Sequence, residues 1–141
     1  MQPKRILIAL AGTPVDADVV RLAVTLAKAS RGEIVAIHVI EVRWDLALDA
    51  VLERGLEQGE RILSDAAAVA QQAGMSIETE VLQAREAAAA IVDDARDRKS
   101  DLIILGMPFR TRLGRTYIGK TAQAVYVKAP CAVLGYRQEA S

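Results

Sequence analysis

Read by hydropathy, the chain alternates short apolar runs with longer amphipathic stretches. "RILIALAG" at 5–12 is continuously apolar and ends in Gly-Thr-Pro, the pattern of a strand buried on both faces. Asp16 is placed to N-cap a helix in which Val19, Ala23, Leu26 and Ala27 recur at helical spacing. "RGE" closes that helix, with Gly32 free to take the left-handed terminal conformation. "EIVAIHVIEV" at 33–42 reads as a second buried strand. A long helix is predicted over 45–73, with Leu48, Leu52, Leu56, Gly59, Leu63, Ala66 and Ala70 along its apolar seam and Gly74 as its stop. Gly55 and Gly59 lie near the seam, where missing side chains would let another element approach closely.

"SIETEVL" at 76–82 alternates apolar with polar residues, as a half-exposed strand near a sheet edge does. "EAAAAIVDDARDRK" at 86–99 is a short helix, and "DLIILG" at 101–106 a buried strand ending in glycine. A basic loop follows, then a helix over 117–128 that Pro130 prevents from continuing, then a final strand "CAVLGYR". The order β-α-β-α-β-α-β-loop-α-β implies an α/β fold, a parallel sheet with helices on both faces. Ligands of such sheets bind at the carboxyl ends of the strands, near a topological switch point. Those ends here are "LAGTP", "HVIEV" and "LGMPF". With no internal repeat or linker, the 141 residues are expected to form a single domain.

The composition narrows the function. The apolar fraction of 52% supplies a substantial core, much of it alanine suited to close helix packing. One Trp, one Phe and three Tyr are too few for a surface that stacks nucleobases in series. A net charge of zero argues against nucleic acid as a partner. The charge is unevenly spread, however. Between Leu102 and Gln138 there is no acid, while Arg110, Arg112, Arg115, Lys120, Lys128 and Arg137 all fall there. The single cysteine, Cys131, rules out an internal disulfide and is expected to act as a small buried apolar residue. The single histidine, His38, lies in a buried strand without a catalytic partner and is expected to be structural. Trp44 is expected to pack at the start of the long helix, and the adjacent Asp93 and Asp94 to form a solvated face. No secretory signal or membrane-spanning run is legible, so direct membrane insertion is not expected and a cytoplasmic domain is.

"GRTYIGKT" at 114–121 matches the phosphate-loop pattern G-x-x-x-x-G-K-[ST]. In a P-loop hydrolase the first glycine follows its strand directly, yet Gly114 stands eight residues beyond Gly106. Such an enzyme also needs an acid at the end of another strand to hold magnesium, and Glu41 is the one weak candidate. The motif therefore reads as a chance match, and a P-loop NTPase as a remote alternative. The physical idea still applies to Gly119, Lys120 and Thr121. They fall in or near the first turn of a helix, where free N–H groups and the dipole favour an anion.

The chain resembles the universal stress protein family over residues 3–137. The resemblance is carried by "ILIALAGTP", "IHVIEV", "SDLIILG" and above all the ending "GKTAQAVYVKAPCAVLGYR". It implies a three-layer, Rossmann-like sandwich with a five-stranded parallel sheet in the order 3-2-1-4-5, and a homodimer formed through the last strand. Nucleotide-binding members carry G-x2-G-x9-G-[ST] after the fourth strand. Gly106 and Gly119 match it, whereas Phe109 takes the second glycine's place and Lys120 that of the hydroxyl residue. ATP-binding members usually have Asp at the end of the first strand, where this chain has Ala11, then Gly12 and Thr13.

The resemblance thus implies an adenine-nucleotide site (ATP or AMP, with Mg if ATP) in altered form. It would be lined by Ala11, Gly12, Thr13, Val39, Gly106, Phe109, Gly119, Lys120 and Thr121. Val39 would give backbone contacts to the base, and Arg110, Arg112 and Arg115 would clamp phosphate or stay solvated. Lys120 would contact phosphate, take the phosphate's place, or be solvated. Phe109 would stack on a base or fill the top of the core. No catalytic residue or metal ligand is assigned, and at most weak hydrolysis is expected. The competing reading is a nucleotide-free dimeric module that docks to a regulatory partner protein.

Overall fold

The computed structural model describes residues 1–108, 111–116 and 118–139, without the side chains of 111, 112, 115 and 116. The readings placed on Phe109 and Arg110, and on the side chains of Arg112 and Arg115, lie outside the described residues. Strand β1 (Arg5–Ala9) leads into α1 (Asp16–Ser30), β2 (Glu33–Glu41) and α2 (Glu53–Gln72). Then come β3 (Glu78–Ala84), α3 (Ala87–Arg98) and β4 (Leu102–Met107). The two-residue strands β5 (Thr111–Arg112) and β6 (Arg115–Thr116) precede α4 (Lys120–Lys128) and β7 (Ala132–Arg137). The main sheet has the order β3-β2-β1-β4-β7, with every neighbour parallel. This is the 3-2-1-4-5 arrangement, with β7 as its fifth strand. Chain order reverses between β1 and β4, which opens the switch point there.

Alternation along the strands divides the core. Ile6, Ile8 and Leu10 meet Val19, Val20, Ala23, Val24 and Ala27 of α1 and Leu63, Ala66 and Ala70 of α2 on one face. Leu7, Ile37, Ile103 and Leu105 meet Ile91 and Ala95 of α3 and Val125 of α4 on the other. Full burial of each large side chain stabilises the fold by about 1.5–3 kcal/mol, which is why β1 and β4 are uninterrupted apolar runs. Arg98 ties α3 to the edge strand β3. Its guanidinium donates to Asp94 at 2.7 Å, to Glu78 at 2.8 Å and to Glu80.

Four local expectations are corrected. Asp16 is the first residue of α1, not its cap; Val15 holds the cap position. The Asp16 carboxylate turns back to accept from the Gly12 N–H at 2.9 Å and the Thr13 hydroxyl at 3.0 Å. The left-handed residue ending α1 is Arg31, at φ 57°, not Gly32. Gly32 serves close approach instead: a Cβ there would lie 2.5 Å from the Pro3 carbonyl oxygen.

The long helix begins at Glu53, not near residue 45, despite the continuous heptad-like leucine spacing. Two side chains from the end of β3 hold the preceding segment in an irregular path. The Gln83 amide donates to the Leu48 and Ala50 carbonyls, and the Arg85 guanidinium to those of Val42, Arg43 and Leu46. Trp44 therefore sits in a loop, 78% exposed, with the Arg85 guanidinium 5.0 Å from its ring centre. The last helix starts at Lys120, not at residue 117, and the predicted loop before it holds the β5–β6 hairpin. Leu113 (φ 52°) and Gly114 (φ 75°) form the two-residue turn of that hairpin.

Cys131 precedes β7 and is partly buried. Burial, assisted by the Asp101 carboxylate, pushes its thiol above the ordinary cysteine value. Because the thiolate is the reactive form, iodoacetamide at neutral pH is expected to label Cys131 more slowly than it labels the urea-unfolded chain. Equal rates in the two states would contradict the assignment.

Candidate functional site

A cleft of about 620 Å³ opens at the carboxyl ends of β1 and β4, where the switch point lies. Its wall is built from five elements. Leu10, Ala11 and Thr13 continue β1, and His38, Val39 and Glu41 end β2. Leu105, Gly106, Met107 and Pro108 end β4, and Ile118 through Gln123 bring in the start of α4. Ala87 and Ile91 of α3 close the side. Ala11, Thr13, Val39, Gly106, Gly119, Lys120 and Thr121, all read from the sequence as site residues, thus line one cleft. Gly12 does not: it lines a separate groove of about 380 Å³ between α1 and α2, with Asp16, Arg61 and Asp65.

The α4 end of the cleft is the polar one. Gly119 is the N-cap of α4 in an extended conformation (φ −65°, ψ 159°), and no side chain caps the helix. The first-turn amides of a helix have no intrahelical acceptor, and the dipole places partial positive charge there. Lys120 adds a full charge and Thr121 a hydroxyl, both on exposed residues. Gln123 braces this end by donating from Nε2 to the Ile118 carbonyl at 2.7 Å. An anion at this end would meet a cation, a hydroxyl and amide donors together, in a cleft also lined by Leu105, Val39 and Ile91.

The glycines have distinct duties. A Cβ on Gly106 would come 2.6 Å from Val15 Cγ2 and 3.2 Å from Val19 Cγ2. Gly106 thus seats the start of α1 on β4 as well as lining the cleft. A Cβ on Gly59 would lie 2.9 Å from the His38 ring and 3.2 Å from Val81, so α2 rests closely on β2 and β3. His38 is held by its Nδ1, 2.7 Å from the Leu10 carbonyl oxygen, which fixes the ring between α2 and the end of β1.

Glu41, His38 and Gln123 were not among the predicted lining. Glu41 carried a signal, as the acid at a strand end. It accepts from the Ala87 N–H at 3.3 Å, at the start of α3. Gln123 lies four residues beyond Gly119, on the same face of α4, and could have been found from helical spacing. Among the described residues no cluster of three or more His, Cys, Asp or Glu is placed to hold a metal ion. Gly114, the first glycine of the P-loop pattern, sits in the hairpin turn with no atom within 4 Å of its would-be Cβ. That turn belongs to the two-stranded β5–β6 sheet and does not directly follow a strand of the main sheet, so the P-loop reading is not favoured.

Comparison with known proteins agrees with this geometry. The model of the universal stress protein family matches residues 3–137. A universal stress protein of Methanocaldococcus jannaschii is 32% identical over 137 residues, covering 93% of this chain and 80% of that protein. A universal stress protein of Archaeoglobus fulgidus has the same fold, at 20% identity and a TM-score of 0.80, covering 94% of this chain and 97% of that one. The universal stress protein from the same organism in complex with dAMP aligns at 20% identity and a TM-score of 0.75, over 96% and 98% of the two chains. By family match and by fold, the chain belongs to the universal stress protein family.

Proposed function

We propose that this domain binds an adenine nucleotide in the β1–β4 cleft and acts as a nucleotide-responsive stress or signalling protein without efficient turnover. The observation that carries the reading is the uncapped start of α4. It brings Gly119, Lys120 and Thr121 into a cleft of about 620 Å³ at the switch point. The solved relative in complex with dAMP supports the ligand class. In this reading the phosphate lies on Gly119 to Thr121, and the base lies toward Val39 and the apolar lining. Magnesium, if ATP is the ligand, is carried in by the phosphates. Calorimetric titration of nucleotide-free protein with ATP-Mg, AMP and cyclic AMP tests the proposal. Saturable binding that weakens about tenfold in Lys120→Ala is the expected result. Absence of heat with all three, together with an unchanged melting temperature, would remove the nucleotide from the account.

A second reading, a dimeric docking module for a regulatory partner protein, is favoured by the β7 edge. In the outermost strand Ala132 to Tyr136 are only partly buried and Arg137 is exposed. Beside it α4 exposes Val127 at 80% and Tyr126 at 42%. An apolar edge strand calls for a cover, and a second copy of the chain supplies one of the same shape. The two readings are compatible. Sedimentation equilibrium is expected to give twice the chain mass, and Val127→Arg to return it to the monomer. A monomeric parent protein, or a dimer indifferent to Val127→Arg, would place association elsewhere. Among the described residues no helix is long and apolar enough to cross a membrane.

A further inference from the structure

We propose that Glu41 reads the base of the bound nucleotide, accepting a hydrogen bond from its exocyclic amine. The inference deepens the nucleotide reading above and rests on it. Among its described lining residues the cleft sets one lysine, Lys120, against one carboxylate, Glu41. They enter from different sides of β1. Glu41 ends β2 on one side, whereas α4 follows β4 on the other.

Two helix starts line the cleft, Ala87 of α3 and Lys120 of α4. The dipole of each favours an anion. At α3 the protein supplies that anion itself, because Glu41 Oε2 accepts from the Ala87 N–H at 3.3 Å. At α4 no side chain caps the helix. A phosphate is therefore repelled from the α3 start and drawn to Lys120. The base is left to the β2 side. Side chains alternate along a strand, so Glu41 shares a face of β2 with Val39, about 7 Å further on. That face packs on α3: Val39 lies against the core that holds Ile91, and Glu41 reaches Ala87. A base resting on Val39 thus turns an edge toward Glu41. An ionised carboxylate offers about four acceptor positions and no donor, and the Ala87 N–H occupies one of them. The positions that remain suit an N–H donor such as the 6-amino group of adenine. They repel the carbonyl oxygen that guanine and hypoxanthine carry at the same place.

The test compares AMP with purine riboside 5′-monophosphate, which differs only in lacking the 6-amino group. Dissociation constants are measured by calorimetry on the full chain, on Glu41→Ala and on Glu41→Gln, with dAMP as the control ligand. The parent protein is expected to favour AMP about tenfold over the amine-free analogue. In Glu41→Ala the preference is expected to fall to about threefold or less. Glu41→Gln keeps an oxygen for the Ala87 N–H and turns an NH2 toward the cleft, so it should lose the preference with the α3 bond intact. The ratio of AMP to dAMP should be the same in all three proteins. A parent preference below about threefold overturns the inference and leaves the nucleotide reading standing. A preference that survives both substitutions also overturns it, and moves the amine to another acceptor of the lining. A change in the AMP-to-dAMP ratio instead would assign Glu41 to the sugar, and overturns it likewise. Failure of all three ligands to bind the parent overturns the nucleotide reading itself, and this inference with it.

Discussion

Replacing Gly32 with alanine is expected to lower the unfolding free energy by about 3 kcal/mol, at the upper end of what overpacking costs. The added Cβ would lie 2.5 Å from the Pro3 carbonyl oxygen and 3.0 Å from both Cα and the carbonyl oxygen of Lys4. All three are backbone atoms, so no side-chain rotation relieves the contact. That backbone is also fixed on its far side. The Glu33 N–H donates to the Lys4 carbonyl at 2.8 Å, and the Ser30 hydroxyl donates to that of Pro3. The N–H groups of Lys4 and Arg5 donate to the Asp101 carboxylate at 2.9 and 3.1 Å. Relief therefore means pulling the start of β1 off β2 or off the start of β4. Urea unfolding should show a lower midpoint with an unchanged slope. Gly114→Ala is the control. Its φ of 75° is strained for alanine, but no atom lies within 4 Å, so the loss should stay near 1 kcal/mol. Equal losses at the two positions would contradict the argument from close approach.

Lys120→Glu is expected to weaken nucleotide binding by more than a hundredfold, about 3 kcal/mol, without destabilising the fold. The substitution removes a cation from the proposed phosphate position and puts an anion in its place. It does so at the first residue of α4, where a carboxylate complements the helix dipole. Helix stability should therefore hold or rise slightly while affinity collapses. This split separates a ligand contact from a structural role, which would lower both. Calorimetry and thermal melting on the same sample measure the two sides. Binding within threefold of the parent protein would move the phosphate away from Lys120.

The strands and most helices were legible because burial on both faces leaves a plain mark. β1 and β4 admit no polar residue in their interiors, and α1 repeats its apolar face at helical spacing. What the sequence could not show was settled by partners distant in the chain. Leu48 and Leu52 continue the spacing of α2, yet Gln83 and Arg85 claim the carbonyls that a helix would use. The hairpin of two-residue strands is too short to carry a period. Asp16 has the composition of a cap, and only the turn at Gly12 shows that its carboxylate points backward. In the site, Gly106 and Gly119 were recognisable from spacing and Lys120 from the helix start. Glu41 stands out in the sequence as an acid at a strand end, but its proximity to Ala87 depends on how β2 and α3 meet.

The two rims of the sheet differ in character, and this limits how copies can add to one another. β3 begins Glu78-Thr79-Glu80, with Arg98 bridging the two acids, so that rim presents charge to an approaching strand. β7, Ala132–Arg137, is the apolar rim. If copies join rim to rim, the favourable pairing uses β7 twice, about a two-fold axis. The charged rims then face outward, and growth closes at a pair. A chain with two apolar rims would have no such stop and could extend head to tail into fibres.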